Sequence, residues 1–406
     1  MDRRSFLTRS AIIGCSLAAS PLMTPISFAA APSDNRLVVI ILRGGMDGLA
    51  AVAPYGDPSL SEIRGPLAMG AEGYADLDGF YAMHPALRPL LPLWKDQHLG
   101  FVHAVSTPYR NKRSHFDGQD LLEAGGASLK SGGVRDGWLN RMMGHIPGYR
   151  ADMAYAVGND ALAVLDGPQL IKRWSPDVDL ALSPQAIRLA QMVLKDDPAM
   201  SFALSEAFQL ADNDGDPVAV NGGMSEMMAM LEDNSQAGRD TSYEKRLAKF
   251  AADRLREDAR IASFSLNGWD SHAQQDRLLN RSLGTLSDVI LTLKNELTGP
   301  VWKRTAIVAM TEFGRTARFN GTMGTGHGTG GAMVLAGGAI RGGRVFADWP
   351  GLGDADLLQQ RDVMPTRDLR AYSGWLLRGL FGISAGAVER DIFPQLDLGA
   401  DPKLLL

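Results

Sequence analysis

Apolar residues gather in five short runs, residues 37–42, 99–105, 261–266, 305–310 and 332–336, each closed off by glycine, proline or polar turn residues. Runs this short read as strands rather than helices. Continuous Val, Ile and Leu without polar alternation predicts strands covered on both faces, as in a parallel sheet. Between them, apolar positions recur at helical spacing over 84–94, 118–124, 243–260, 271–297 and 366–381, the last carrying Leu369, Tyr372, Leu376 and Leu380 on one side. Strands alternating with helices predict an α/β fold, a doubly wound, mostly parallel sheet flanked by helices. The middle of the chain breaks this rhythm. Residues 153–165 suggest two short strands around Gly158-Asn159-Asp160, and helical stretches follow at 184–194, 200–210 and 223–231. Residues 148–249 are therefore expected to form a mostly helical insertion, and Met224, Met227, Met228 and Met230 within it read as core filler.

The first 31 residues follow a different pattern. Arg3-Arg4-Ser5-Phe6-Leu7 precedes an apolar stretch over 11–29 that is broken by Pro21 and Pro25 and ends in Ala29-Ala30-Ala31. This predicts a twin-arginine signal peptide over 1–31, recognised by the twin-arginine export machinery and removed. The mature protein is expected in the periplasm or outside the cell, as one α/β domain over 32–406. Cys15, the single cysteine, falls inside the leader, so the mature chain would carry no thiol. No other run is long enough to span a bilayer.

Composition adds little for or against an enzyme. With 406 residues, 45% hydrophobic and 21% charged, the chain can bury a sizeable core. A formal net charge of −5 gives no electrostatic footprint for nucleic acid. The 45 glycines matter more, because they cluster where strands give way to loops.

Those loops carry the candidate chemistry. Asp47 follows the first strand between glycines, Asp270 and His272 follow the third, Glu312 follows the fourth, and His327 lies on the glycine-rich loop before the fifth. Parallel strands bring their carboxyl ends to one edge, so these five are expected to converge there. Any one of them also has a structural reading: Asp47 as a turn aspartate, Asp270 as the cap of the helix over 271–297 with His272 in its first turn. His84, His98 and His103 lack acidic companions at ligand spacing and read as structural. Mixed His and carboxylate donors suit zinc, manganese or iron, as one or two divalent ions. Ser114 stands three residues before Asp117 at the start of a helix, where free N–H groups favour an anion. It is the candidate nucleophile, and Arg315, with Arg110 or Arg113, is the candidate clamp for anionic oxygens of a small ester substrate.

Five motifs in order, Arg43-Gly44-Gly45-Met46-Asp47-Gly48-Leu49, Ser114-His115-Phe116-Asp117, Gly268-Trp269-Asp270-Ser271-His272, Thr311-Glu312-Phe313-Gly314-Arg315-Thr316 and Gly324-Thr325-Gly326-His327-Gly328, resemble an exported bacterial family known as domain of unknown function 1501. That family is itself similar to the alkaline phosphatase and sulfatase superfamily. The resemblance implies an alkaline-phosphatase-like sheet, a two-metal site and a Ser or Thr nucleophile. Carried over by position, it implies Asp47, Asp270, His272 and His327 as ligands, Ser114 as nucleophile, and Thr311-Glu312-Phe313-Gly314 where the superfamily has an Asp-His pair. Phe313 cannot bind a metal, so His115 is the expected replacement. The implied activity is hydrolysis or transfer of phosphate or sulfate esters. The alternative is a non-catalytic periplasmic binding or assembly protein on the same fold.

Overall fold

The computed structural model describes residues 34–65, 73–110, 113–128, 133–176 and 243–406. The signal peptide and the helical stretches expected within 184–231 lie outside the described residues. In chain order the strands are β1 (Arg36–Leu42), β2 (Val52–Ala53), β3 (Ala75–Asp76), β4 (Ala82–Met83), β5 (Leu99–Ser106), β6 (Ala154–Val157), β7 (Lys172–Trp174), β8 (Ile261–Leu266), β9 (Thr305–Thr311), β10 (Gly331–Ala336), β11 (Val345–Phe346) and β12 (Arg367–Asp368). Every residue of β1, β5, β8, β9 and β10 is buried, which is why these segments are predominantly apolar and the polar residues in them, such as His103, Ser263 and Ser265, are buried too.

Among the described residues the main sheet has the order β11-β5-β10-β9-β1-β8-β6-β7, with β12 also paired to β5, and β2-β4-β3 form a small second sheet. β1 is parallel to β8 and β9, and β6 is parallel to β8 and β7. β10 is antiparallel to both β9 and β5. The sheet is thus mostly parallel with one reversed strand in the middle. Leu42 is in register with Leu266 and with Thr311, so Arg43, Asn267 and Glu312 leave the sheet at one level. Because β10 runs the other way, the loop before it, not the loop after it, reaches that same edge. This brings His327 to the edge.

Alternation along β1 divides the core in two. Val38, Ile40 and Leu42 join the cluster that holds the helices Tyr243–Arg256 and Gln275–Glu296. Leu37, Val39 and Ile41 join the cluster that holds Leu369–Phe381 and Trp138–Met143. Each fully buried Leu, Ile or Val contributes roughly 1.5–3 kcal/mol, so a sheet covered on both faces is the stable solution for strands of this composition. The helix Tyr243–Arg256 shows the pattern on its own side, burying Leu247, Ala251 and Leu255 at a spacing of four.

Three expectations are corrected in detail. Residues 153–165 supply one strand, β6, and then a 3₁₀ turn at Ala163–Leu165; the second strand is β7, and both extend the main sheet. Residues 85–95 form a 3₁₀ segment, Pro85–Leu90, before the α-helix Leu91–Lys95, since Pro89 and Pro92 remove two N–H donors. The helix expected from 271 begins at Gln275. No helix among the described residues is long and apolar enough to cross a membrane.

Two buried histidines set an acid limit on the fold. His103 accepts from Ala104 N at its Nδ1 and faces the Gly48 carbonyl with its Nε2, while His84 accepts from Ala86 N. Burial pushes both down from 6.5 to about 4. Both stay neutral in the fold and gain protons on unfolding, so each contributes stability above pH 6.5 that is lost as the pH falls towards about 4. Tm is expected to fall across that window, and less steeply in His103→Gln than in the unmodified chain. Parallel Tm curves for the two proteins would sink the assignment.

Candidate metal centre

His115, Asp270, His272 and His327 present one donor atom each, all within 4.8 Å of one another. Asp270 Oδ1 lies 3.0 Å from His272 Nε2, 3.3 Å from His115 Nε2 and 3.5 Å from His327 Nε2. His272 Nε2 and His327 Nε2 are 2.8 Å apart. Donors about 2.1 Å from one tetrahedral cation stand roughly 3.4 Å from each other, so the set has nearly the right size already.

Proton placement makes the fit chemical as well as geometric. His115 Nδ1 is 2.8 Å from the Glu312 carboxylate and His327 Nδ1 is 2.7 Å from the Arg113 carbonyl. Both partners only accept, so the Nδ1 atoms carry the protons and the Nε2 lone pairs face the cluster. His115 Nε2 is buried and completes no hydrogen bond. Lone pairs and a carboxylate oxygen aimed at one point repel unless a cation lies between them. The residues fit a single divalent ion with three imidazole ligands and one carboxylate.

Each candidate donor is held in place by its surroundings. His115 is the first residue of the helix His115–Ala124, whose N-cap is Ser114: its Oγ accepts from Asp117 N at 3.3 Å. Asp270 is fixed by Arg315, which donates to its Oδ1 at 2.6 Å. Residues 270–274 stay out of the helix because loop 320–324 takes the first helical N–H groups: Gln274 N donates to Thr322 O and Gln275 N to Met323 O. Asp270 is therefore no helix cap, and His272 is free to turn towards His327. Two glycines permit the close approach. A Cβ on Gly324 would sit 2.1 Å from the His272 carbonyl carbon, and one on Gly44, at φ +124°, would sit 2.6 Å from Asp270 N.

Electrostatics follow the contacts. Burial lowers the His115 pKa, but its hydrogen bond to Glu312 and the charges of Glu312 and Asp270 outweigh it and leave it raised. Burial would raise Asp270, and the Arg315 bond and charge bring it below the ordinary carboxylate value. His327 is lowered, first by burial.

The structure places the remaining candidates outside this group. Glu312 is fully buried behind His115 and accepts from Gly44 N at 2.9 Å, Gln119 Nε2 at 3.2 Å and Thr311 Oγ1 at 2.8 Å. It orients a ligand and is not part of the four-residue set. Asp47 is taken by Arg64 at 2.7 Å and by Gln275 Nε2 at 2.6 Å, and it caps the short helix Gly48–Ala51. Burial would raise its pKa, but Arg64 above all holds it below the usual range. Arg315 is 1% exposed and directs its guanidinium to the Gly44, Gly45, Trp269 and Thr325 carbonyls as well as to Asp270, so it is buried beneath the cluster. Arg110 donates to the carbonyls of Thr107 and Tyr109. Phe313 packs at a tilt against two of the histidines, its ring 4.9 Å from that of His115 and 5.1 Å from that of His327.

Arg64 and Gln275 escaped the sequence reading because neither belongs to a motif. Gln119 had a usable signal, since it stands four residues after His115 and so shares its helix face. Removing the carboxylate behind His115 gives a direct check. Glu312→Gln is expected to weaken metal affinity about 10- to 100-fold in a chelator-competition titration. Unchanged affinity would show that Glu312 does not orient the ligand.

The family model described as "Protein of unknown function (DUF1501)" matches residues 93–388. No curated protein matches the chain. Among solved structures the chain is similar to the lipoteichoic acid synthase LtaP from Listeria monocytogenes, at 10% identity and TM-score 0.40, over 95% of this chain and 79% of that one. It is also similar to the C-terminal periplasmic domain of EcEptC from Escherichia coli in complex with Zn, at 13% identity and TM-score 0.36, over 91% and 88%. A TAB5 alkaline phosphatase mutant with Mg bound is similar at 10% identity and TM-score 0.33, over 78% and 94%.

Proposed function

Since the chain belongs to the DUF1501 family, and its site gathers three histidines and an aspartate around one point, we propose that it is an exported, metal-dependent hydrolase or transferase acting on phosphate or sulfate esters. The observation that carries the reading is the convergence of His115, Asp270, His272 and His327 on one point, with the Nε2 lone pairs of His115 and His327 facing inward. A divalent cation held there supplies positive charge against the anionic oxygens of the ester.

The chain's own residues do the rest. Ser114 is bracketed by two parts of the site: the carbonyl of the residue before it holds His327, and the residue after it is the ligand His115. Its hydroxyl keeps its own proton while accepting from Asp117 N, and the open end of the helix stabilises negative charge on Oγ. Ser114 Oγ attacks phosphorus or sulfur as its proton leaves to solvent, the bond to the ester oxygen breaks on the opposite side, and that oxygen takes a proton from solvent to leave as the alcohol. Water, or an acceptor alcohol in a transferase, then releases the group from Ser114. Arg315 positions Asp270 and does not touch the substrate. The paired arginines of the leader support export through the twin-arginine route.

Asp47 bound to Arg64, and Phe313 packed beside two of the histidines, favour one cation over two. The same two features favour a second reading, a periplasmic binding or assembly protein that keeps the pocket without turnover. Metal analysis of the purified chain, with a screen of phosphate and sulfate esters before and after chelation, separates them. About one metal per chain and chelator-sensitive turnover support the enzyme. Metal-free protein without turnover sinks it.

A further inference from the structure

A cavity of about 300 Å³ opens beside the cluster, walled by Arg318, Phe319, Asn320, Gly326 and Arg361 among others. Two of its walls are joined to ligands. Gly326 immediately precedes His327, and Asn320 Nδ2 donates to the His272 carbonyl at 2.8 Å. Cations outnumber acids around it. Arg318 pairs with Asp354 at 2.6 Å and Arg361 Nη1 with Asp362 at 2.9 Å, but Arg113 adds a third positive charge close enough to act on both Arg361 and Asp362. Among the described residues no hydrogen bond or ion pair holds the exposed Arg113 guanidinium. Arg361 turns its other amino group towards the cluster side: a Cβ on Gly326 would lie 3.1 Å from Nη2. Two consecutive non-glycine residues in the left-handed region, Gln359 at φ +54° and Gln360 at φ +55°, lead into Arg361. Backbone strain of this kind persists only where the surroundings enforce it.

We propose that this cavity is a second-anion subsite: the ester handled at the cluster has a leaving group that bears its own sulfate, phosphate or carboxylate, held by Arg361 Nη2 and Arg113. Half-buried Phe319 gives the cavity an apolar wall against which a ring-sized leaving group can lie. Paired guanidinium donors match the spread oxygens of such groups, and an unneutralised cation beside a cavity makes the second charge favourable to bind. The proposal rests on the esterase reading for what happens at the cluster, but binding at the subsite does not require turnover.

The test is calorimetric titration of the full chain, with and without metal, using benzene-1,3-disulfonate and benzenesulfonate at one ionic strength. The disulfonate is expected to bind at least about tenfold more tightly. Arg361→Gln should remove that advantage and Arg361→Lys retain part of it, with metal content unchanged in both. Repeating the comparison with the dicarboxylate and diphosphonate analogues identifies the oxyanion preferred. Should Arg361→Gln fail to fold, Gly326→Asp serves instead. The nearest atoms to its Cβ are side-chain atoms, the flexible end of Arg361 and Thr316, and the new carboxylate would neutralise Arg361 and expel the probe. Equal affinity for the two probes, or an advantage that survives both substitutions, overturns the subsite. A preference for the disulfonate in a chain that binds no metal and turns over no ester would uphold the subsite and overturn the esterase.

Discussion

Ser114→Ala is expected to lower ester turnover by about 10³-fold or more while bound metal stays at its original stoichiometry. Losing a nucleophile removes the covalent route, and what remains is positioning and charge stabilisation. The same substitution deletes an N-cap, which by itself costs about 1 kcal/mol of stability. The two effects are separable, because Ser114→Asn keeps a capping oxygen and lacks a nucleophilic hydroxyl. Ser114→Asn should therefore retain the Tm and lose turnover, whereas a purely structural serine would give the reverse: full turnover in Ser114→Asn and a small loss of Tm in Ser114→Ala. The measurements are initial rates on the best ester from the screen, metal content and thermal unfolding. Full turnover in Ser114→Ala would remove Ser114 from the chemistry and leave the four donors as the whole site.

Asp47→Ala is expected to destabilise the fold by about 3–5 kcal/mol and to leave the metal bound. Asp47 and Arg64 are both buried, and removing the carboxylate strands a guanidinium whose other partners among the described residues are the Thr316 and Ala317 carbonyls and the Phe319 ring, none of them charged. Asp47 also receives Gln275, whose carbonyl oxygen accepts from Ser271 at 2.9 Å and from Thr325 at 2.5 Å. The aspartate thus steadies, through Gln275, the loops that carry Asp270, His272 and His327. Its role at the cluster is indirect. The double substitution Asp47→Ala with Arg64→Met should recover part of the stability, because it strands no buried charge. Denaturant unfolding and metal content decide the matter together. A folded Asp47→Ala protein that has lost its metal would make Asp47 a ligand after all.

These predictions differ in how far each could be read from the chain. Ser114 as an N-cap followed from its spacing to Asp117, and the gathering of Asp270, His272 and His327 followed from apolar runs that had to lie side by side. Such features are local or nearly so. Asp47 looked like its neighbours in sequence, an acid between glycines after a strand. It was diverted by Arg64, seventeen residues later and outside any motif. Arg315 looked like a substrate clamp and instead donates to four carbonyls, because the loops after β1 and β8 and the loop before β10 all close around its guanidinium.

Layering, and the edge at which the polar candidates gather, were legible in the order of residues, since short aliphatic runs are buried most readily in a sheet covered on both faces. That order also determined which residue types could meet there. Which of them do meet depended on how the packed loops lie. The reversed direction of β10 brought His327 to the edge, Glu312 turned inward to hold His115, and Arg64 claimed Asp47. The physical reason is range: burial and capping are set by neighbours a few residues away, whereas a carboxylate's partner is whichever donor the packed loops deliver to it.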